Sequence, residues 1–198
     1  MASFGLHTTS DQASKALKEN ITGKTIVITG VSPGSLGADT AQAILAQSPA
    51  QLILASQKES KLHEVTKSLD IPAGSSVYPL VLDLASHDAV RKAAAELSRY
   101  VDAIGAMICT AGVMALPSYQ ESKDGWIDEN GNLNSAIKVK TLAEGAATGI
   151  MAAFDHRLSN EGRYFLADGA LTAQGLLPAA VDTAIAAKLW GISEKPVK

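Results

Sequence analysis

A single cysteine, aromatic residues at only 5 % and no block of like charge distinguish this chain of 198 residues. Each shortage excludes something. One thiol, Cys109, cannot close an internal disulfide, which suits a reducing compartment, and the run Ala106-Met107-Ile108-Cys109 predicts a buried strand rather than a reactive thiol. Acids and bases are interspersed and sum to −3. Without a basic stripe, neither a nucleic-acid backbone nor an anionic membrane surface is an expected partner. The first twenty residues carry Asp11, Lys15 and Lys18 and no uninterrupted apolar core. They are expected to be neither a secretory signal nor a spanning helix, so the cytoplasm is the expected location. His7, His63 and His156 stand singly, with no second ligand at metal spacing, and no metal site is expected.

What is present is 46 % hydrophobic content, enough for one sizeable core, and a single domain over residues 1–198 is expected. Thr25-Ile26-Val27-Ile28 is a short branched apolar run between Gly23 and Gly30 and predicts a buried first strand. Ala38, Ala41 and Leu45 have helical spacing and stop at Ser48-Pro49; Gln51 to Ala55 predicts a second strand. Helix and strand keep alternating. Leu62, Val65 and Leu69 mark a helix, Val77 to Leu84 a strand, Val90, Ala94 and Leu97 a helix, and Ala103 to Cys109 a fourth strand. Such alternation returns every strand in the same direction and predicts an α/β fold, a Rossmann-like doubly wound parallel sheet.

In such sheets ligands bind where the first strand meets its helix, because strand ends and helix N-termini converge there on a crevice that favours anions. The connecting turn is Thr29-Gly30-Val31-Ser32-Pro33-Gly34-Ser35-Leu36-Gly37. Gly30 would let the chain leave the strand tightly, Gly34 would let the backbone approach a pyrophosphate, and Gly37 would let the helix pack close to the sheet. The spacing differs from Gly-x-Gly-x2-Gly, and a plain tight turn is the bland alternative. At the end of the second strand the chain reads Ser56-Gln57-Lys58 in place of an acid. With no carboxylate to repel a 2′-phosphate, Gln57 and Lys58 favour NADP over NAD, unless Lys58 is simply solvated. Asp83 is placed either to accept from an adenine amino group or to serve as a loop carboxylate. Ser86 reads as a helix N-cap, since Ser86-His87-Asp88 are sequence neighbours and a nucleophilic triad is assembled from separate elements.

Thr29 to Gly37, Leu82-Asp83-Leu84 and Thr110-Ala111-Gly112-Val113-Met114 together resemble the short-chain dehydrogenase/reductase family, in the branch of retinol dehydrogenases and fungal biosynthetic reductases. The resemblance covers the dinucleotide-binding part, residues 20–125. It implies a dinucleotide contacted by Thr29, Gly30, Ser32, Gly34, Ser35, Leu36 and Gly37 at the turn and by Gln57 and Lys58 at the ribose. Asp83 and Leu84 would meet the adenine, and Thr110, Ala111 and Gly112 would follow the fourth strand. The implied substrate is a small hydrophobic alcohol or carbonyl compound. Thr110 stands where the branch has Asn, Ser35 where it often has glycine, and Gln57 where NADP-preferring relatives often carry arginine.

Residues 140–198 resemble the tail of the same branch as a helix-strand-helix, with Lys140 to Thr148 on the helix that precedes a final strand. Between these parts the family carries a helix with an Asn, a strand ending in a catalytic Ser, and a helix bearing Tyr-x-x-x-Lys. None is found. Gly125 runs directly into Trp126 and a junction at residues 126–139, in which Asp128-Glu129-Asn130-Gly131-Asn132 reads as solvated linker. The catalytic segment is therefore expected to be deleted. Tyr119-Gln120-Glu121-Ser122-Lys123 does spell Tyr-x-x-x-Lys, but it follows Pro117-Ser118 and precedes Asp124-Gly125, so it reads as a loop. In the family the lysine acts on the tyrosine from one helical turn away, so Tyr119 and Lys123 are set aside and no catalytic residue is assigned.

Removing interior strands would leave the fourth strand's edge open, and Arg163-Tyr164-Phe165-Leu166-Ala167 is expected to fill it as a fifth strand. Leu142 to Phe154 would be its right-handed crossover helix, with Val181, Ile185 and Leu189 on a last helix. By family the expected function is that of an NADP(H)-dependent oxidoreductase of impaired activity; a non-catalytic nucleotide-binding remnant and an incomplete gene product are the alternatives.

Overall fold

The computed structural model describes residues 4–112, 120–121, 127–128, 141–156, 166–167, 170–171, 184 and 187. The branched run between two glycines forms β1 (Thr25–Thr29), whose last four residues are buried. Its centrality explains that burial: β1 pairs in parallel with β2 (Gln51–Ser56) on one side and β4 (Ala106–Cys109) on the other. A strand covered on both faces needs an unbroken apolar run, and Ile26-Val27-Ile28 supplies it. β3 (Ser76–Val81) pairs with β2, giving the order β3-β2-β1-β4.

Helices cover both faces. α3 (Leu36–Leu45) and α4 (Glu59–Ser68) place Ile44, Leu45, Leu62 and Val65 in one core with Ile26, Ile28, Leu52, Leu54 and Ile108. Alternate residues point the other way: Val27, Ile53 and Ala55 pack with Ala93 and Leu97 of α5 (His87–Leu97). The switch of face between α4 and α5 makes the sheet doubly wound, as the alternation predicts.

Three differences from the sequence expectations have physical causes. β3 stops at Val81 rather than Leu84, because the Asp83 carboxylate accepts the Ala85 N–H at 3.0 Å and turns the chain toward α5, whose N-cap is Ser86. Cys109 lies on a strand but is exposed: Ile108 faces the core, while Met107, 54 % exposed, and Cys109 face the opposite way. Leu166–Ala167 (β7) pairs antiparallel with Ala170–Leu171 (β8), so among the described residues the main sheet has four strands and not the expected five. Arg163 to Phe165 lie outside the described residues, as do Val181, Ile185 and Leu189, although Ala184 and Ala187 are helical.

The amino-terminal segment, unassigned from periodicity, forms α1 (Ser10–Ala16) and α2 (Lys18–Ile21). A legible signal was present in Thr9-x-x-Gln12, which makes a reciprocal capping box. The helix expected over Leu142 to Phe154 is present as α6 (Leu142–Phe154), started by a second capping box between Thr141 and Glu144. It lies against α1, α3 and β4. No helix among the described residues is long and apolar enough to cross a membrane.

Candidate functional site

β1 is where neighbouring connections run off in opposite directions, and its carboxyl end opens the crevice in which such sheets bind ligands. The glycine turn fills that position. Gly30 has φ +74 and its backbone lies so near the end of β4 that a Cβ would sit 2.5 Å from the Ala111 nitrogen. Gly37 is packed as tightly, its missing Cβ lying 2.8 Å from both the Gly30 carbonyl oxygen and Thr110 Oγ1. Gly34 is different: φ is +70, yet no described residue lies within 4 Å of the place a Cβ would occupy. The first two glycines hold the turn closed against the strands, and the third leaves open space above it.

Ser35 organises the turn from inside. Its hydroxyl accepts from the Ser32 N–H at 3.0 Å and the Ala38 N–H at 3.2 Å, and donates to the Gly30 carbonyl at 3.1 Å. It is the N-cap of α3, so the hydroxyl is engaged within the chain. Two donors remain. The N–H groups of Leu36 and Gly37, in the first turn of α3, find no acceptor among the described residues. With the open space beside Gly34, they stand at the positive end of a helix dipole, which suits an anion.

The other expected residues are distributed around the same crevice. Thr29 is buried; its carbonyl accepts from Thr110 Oγ1 at 2.6 Å, and its own Oγ1 accepts from the Ala111 N–H at 3.4 Å. Ala111 and Gly112 are exposed beyond β4. Gln57 and Lys58 are exposed at the end of β2, where Lys58 precedes α4 without providing a side-chain cap. The neighbouring acid, Glu59, faces along α4 toward His63 at 3.8 Å. Asp83 and Leu84 follow β3, with one Asp83 oxygen engaged by Ala85. The sequence reading missed the Thr110–Thr29 bond, for which no local pattern exists because the partners are 81 residues apart.

Tyr119 and Lys123 lie outside the described residues. Between them Gln120–Glu121 (β5) is extended and pairs antiparallel with Ile127–Asp128 (β6), where a Tyr-x-x-x-Lys site needs a helical turn. Among the described residues no group of three His, Cys, Asp or Glu could hold a metal ion.

A β3-β2-β1-β4 parallel sheet with helices on both faces and a glycine turn at the switch of direction defines a Rossmann-like α/β protein. The sequence model of the short chain dehydrogenase family matches residues 24–148, and the chain belongs to that family. It is 32 % identical over 124 residues to the oxidoreductase fscI of Fusarium equiseti, covering 60 % of this chain and 46 % of that protein. To a short-chain dehydrogenase/reductase of Armillaria gallica it is 33 % identical over 107 residues, covering 54 % of this chain and 34 % of the relative. The chain thus spans less than half the length of either. Among solved structures, the L-sorbose reductase of Gluconobacter frateurii complexed with NADPH and L-sorbose superposes with a TM-score of 0.42 at 25 % identity, over 47 % of this chain and 35 % of that one. A second structure of that reductase gives 0.43 at 18 % identity, over 68 % and 47 %.

Proposed function

We propose that this chain is a short-chain dehydrogenase/reductase-type protein that holds NADP(H) at the β1–α3 turn and is impaired in turnover of a small carbonyl or alcohol substrate. The observation that carries the reading is that the N–H groups of Leu36 and Gly37, beside the open Gly34, meet no acceptor among the described residues. A diphosphate needs close backbone approach and N–H donors, and the open Gly34 beside two N–H groups of the first helical turn supports that reading. Gly30 and Gly37 keep the turn against β4, Thr29 and Thr110 tie the strand ends, and Lys58 with Gln57 offers a cation and an amide where a 2′-phosphate would lie. Asp83 retains one carboxylate oxygen for an adenine amino group.

A bound nicotinamide supplies or accepts a hydride; the protein must supply the acid or base. In this family a tyrosine held by a lysine does so, and the only Tyr-x-x-x-Lys in the chain is Tyr119 to Lys123, with Gln120 and Glu121 extended between them. Proton transfer is the missing step, and the reading is that of a cofactor-binding half without its catalytic partner residues. A lone thiol on the surface fits a cytoplasmic, reducing setting.

The test is calorimetric titration of the full chain with NADPH and NADH beside a turnover assay over a panel of small ketones and alcohols. NADPH binding tighter than NADH, with turnover absent or feeble, is the expected result. Absence of binding by either nucleotide would remove the reading, and brisk turnover that disappears in Tyr119→Phe would replace it with that of a working reductase.

A further inference from the structure

Residues 4–21 precede the span matched by the family model, yet they reach α3 just behind the glycine turn. Ala13 of α1, Leu17 at the junction of the two helices and Ile21 of α2 share one core with Ile44 and Leu45 of α3 and with Ala147, Ile150, Met151 and Phe154 of α6. Apolar packing is non-directional, and polar ties add to the registration of these helices. Ser10 Oγ donates to Asp39 Oδ2 at 2.6 Å in the first turn of α3. His7 Nδ1 meets Glu144 Oε1 at 2.9 Å at the start of α6, and Asn20 Nδ2 donates to the Phe154 carbonyl at 2.7 Å at its end. α6 in turn abuts the glycine turn: a Cβ on Gly145 would lie 2.8 Å from Leu36 Cδ2.

Asp39 is the sensitive point. It sits in the same first turn as the N–H groups of Leu36 and Gly37, and a free carboxylate there competes for the same positive helix end that an incoming anion needs. Ser10 holds that carboxylate toward α1 in a part-buried bond. We infer that segment 4–21 is a positioning element for nucleotide binding, in which Ser10 restrains Asp39 and the ties to α6 hold Leu36 in place. The inference rests on the reading of the turn as a dinucleotide site. None of these residues is required to touch the nucleotide. They act by keeping the donors convergent and the competing charge away.

The experiment compares full-length Ser10→Ala, Asn20→Ala and the double variant Ser10→Ala/Asp39→Asn with the parent chain, by NADPH titration and by hydrogen exchange. Ser10→Ala is expected to weaken NADPH binding about threefold to tenfold. It should also speed exchange at the Ala38 and Asp39 amides, which bond to Ser35, relative to Val27 and Ile53 in the central strands. Adding Asp39→Asn should restore most of the affinity, a recovery that a merely structural role for Ser10 would not produce. Asn20→Ala repeats the test from the far end of α6 should Ser10→Ala fail to fold. Unchanged affinity and exchange in both single variants, or faster exchange at all four amides in step, would overturn the inference. If the parent binds neither NADPH nor NADH, the dinucleotide reading falls, and local exchange at Ala38 and Asp39 alone decides whether the segment orders the turn.

Discussion

The Thr110 hydroxyl donates to the Thr29 carbonyl across 2.6 Å, joining the carboxyl ends of β4 and β1 where the glycine turn begins. Replacing Thr110 by valine keeps the shape and removes the donor. The expected cost is about 1 kcal/mol, the ordinary net worth of a hydrogen bond, read as a lower urea midpoint at unchanged m. Thr110→Ser keeps the hydroxyl and should lose less; a loss in Thr110→Ser with none in Thr110→Val would show that the methyl, and not the bond, matters.

Two glycines of the turn should respond differently to alanine. At Gly30 a methyl would collide with the backbone of Ala111 at 2.5 Å in addition to the strain of φ +74, so Gly30→Ala should cost roughly 2–4 kcal/mol of stability. Gly34→Ala meets no neighbour and carries only the left-handed strain, roughly 1 kcal/mol. Gly34 lies in the turn proposed to hold the nucleotide, so the main effect should be a loss of NADPH affinity, measured by calorimetry beside thermal melting.

Acid should loosen α6. The bond from His7, followed by those from the Thr141 N–H and hydroxyl, holds the Glu144 carboxyl at about 2 against an ordinary 4.5. A carboxyl depressed in the folded chain contributes stability above its unfolded value, and that contribution is lost as pH falls from about 4.5 toward 2. Glu144→Gln should flatten the decline of the urea midpoint across that window while leaving the rest of the acid profile intact.

Reversing the charge at the end of β2 tests the cofactor preference. Lys58→Glu should weaken NADPH binding by roughly tenfold and leave NADH nearly unchanged, since only the 2′-phosphate meets the new repulsion. Equal weakening of the two nucleotides would remove Lys58 from the ribose site.

Cys109 should react with a maleimide in the folded protein without denaturant, because its side of β4 is exposed. Protection equal to that of a buried thiol would show that the face of Met107 and Cys109 is covered in solution.

Local pattern decided most of the frame. Ile26-Val27-Ile28 between glycines has one low-energy solution, a strand buried on both faces, and the alternation that follows forces parallel pairing with helices on either side. Gly30, Gly34 and Gly37 were legible because a missing Cβ is a property of the residue itself, and α6 was expected because Lys140 to Thr148 resembles a helix of the family. What each glycine does was not. Gly30 and Gly37 are closed by contact with residues 110 and 111, and only Gly34 is open, a distinction set by how closely β4 approaches the turn. Sequence alternation placed Cys109 on a strand but could not say which face is covered, since that depends on elements remote along the chain. The bonds from Ser10 to Asp39 and from Thr110 to Thr29 likewise exist only after the helices and strands have packed, for a side-chain hydrogen bond needs an acceptor within about 3 Å and no sequence spacing supplies one across 29 or 81 residues.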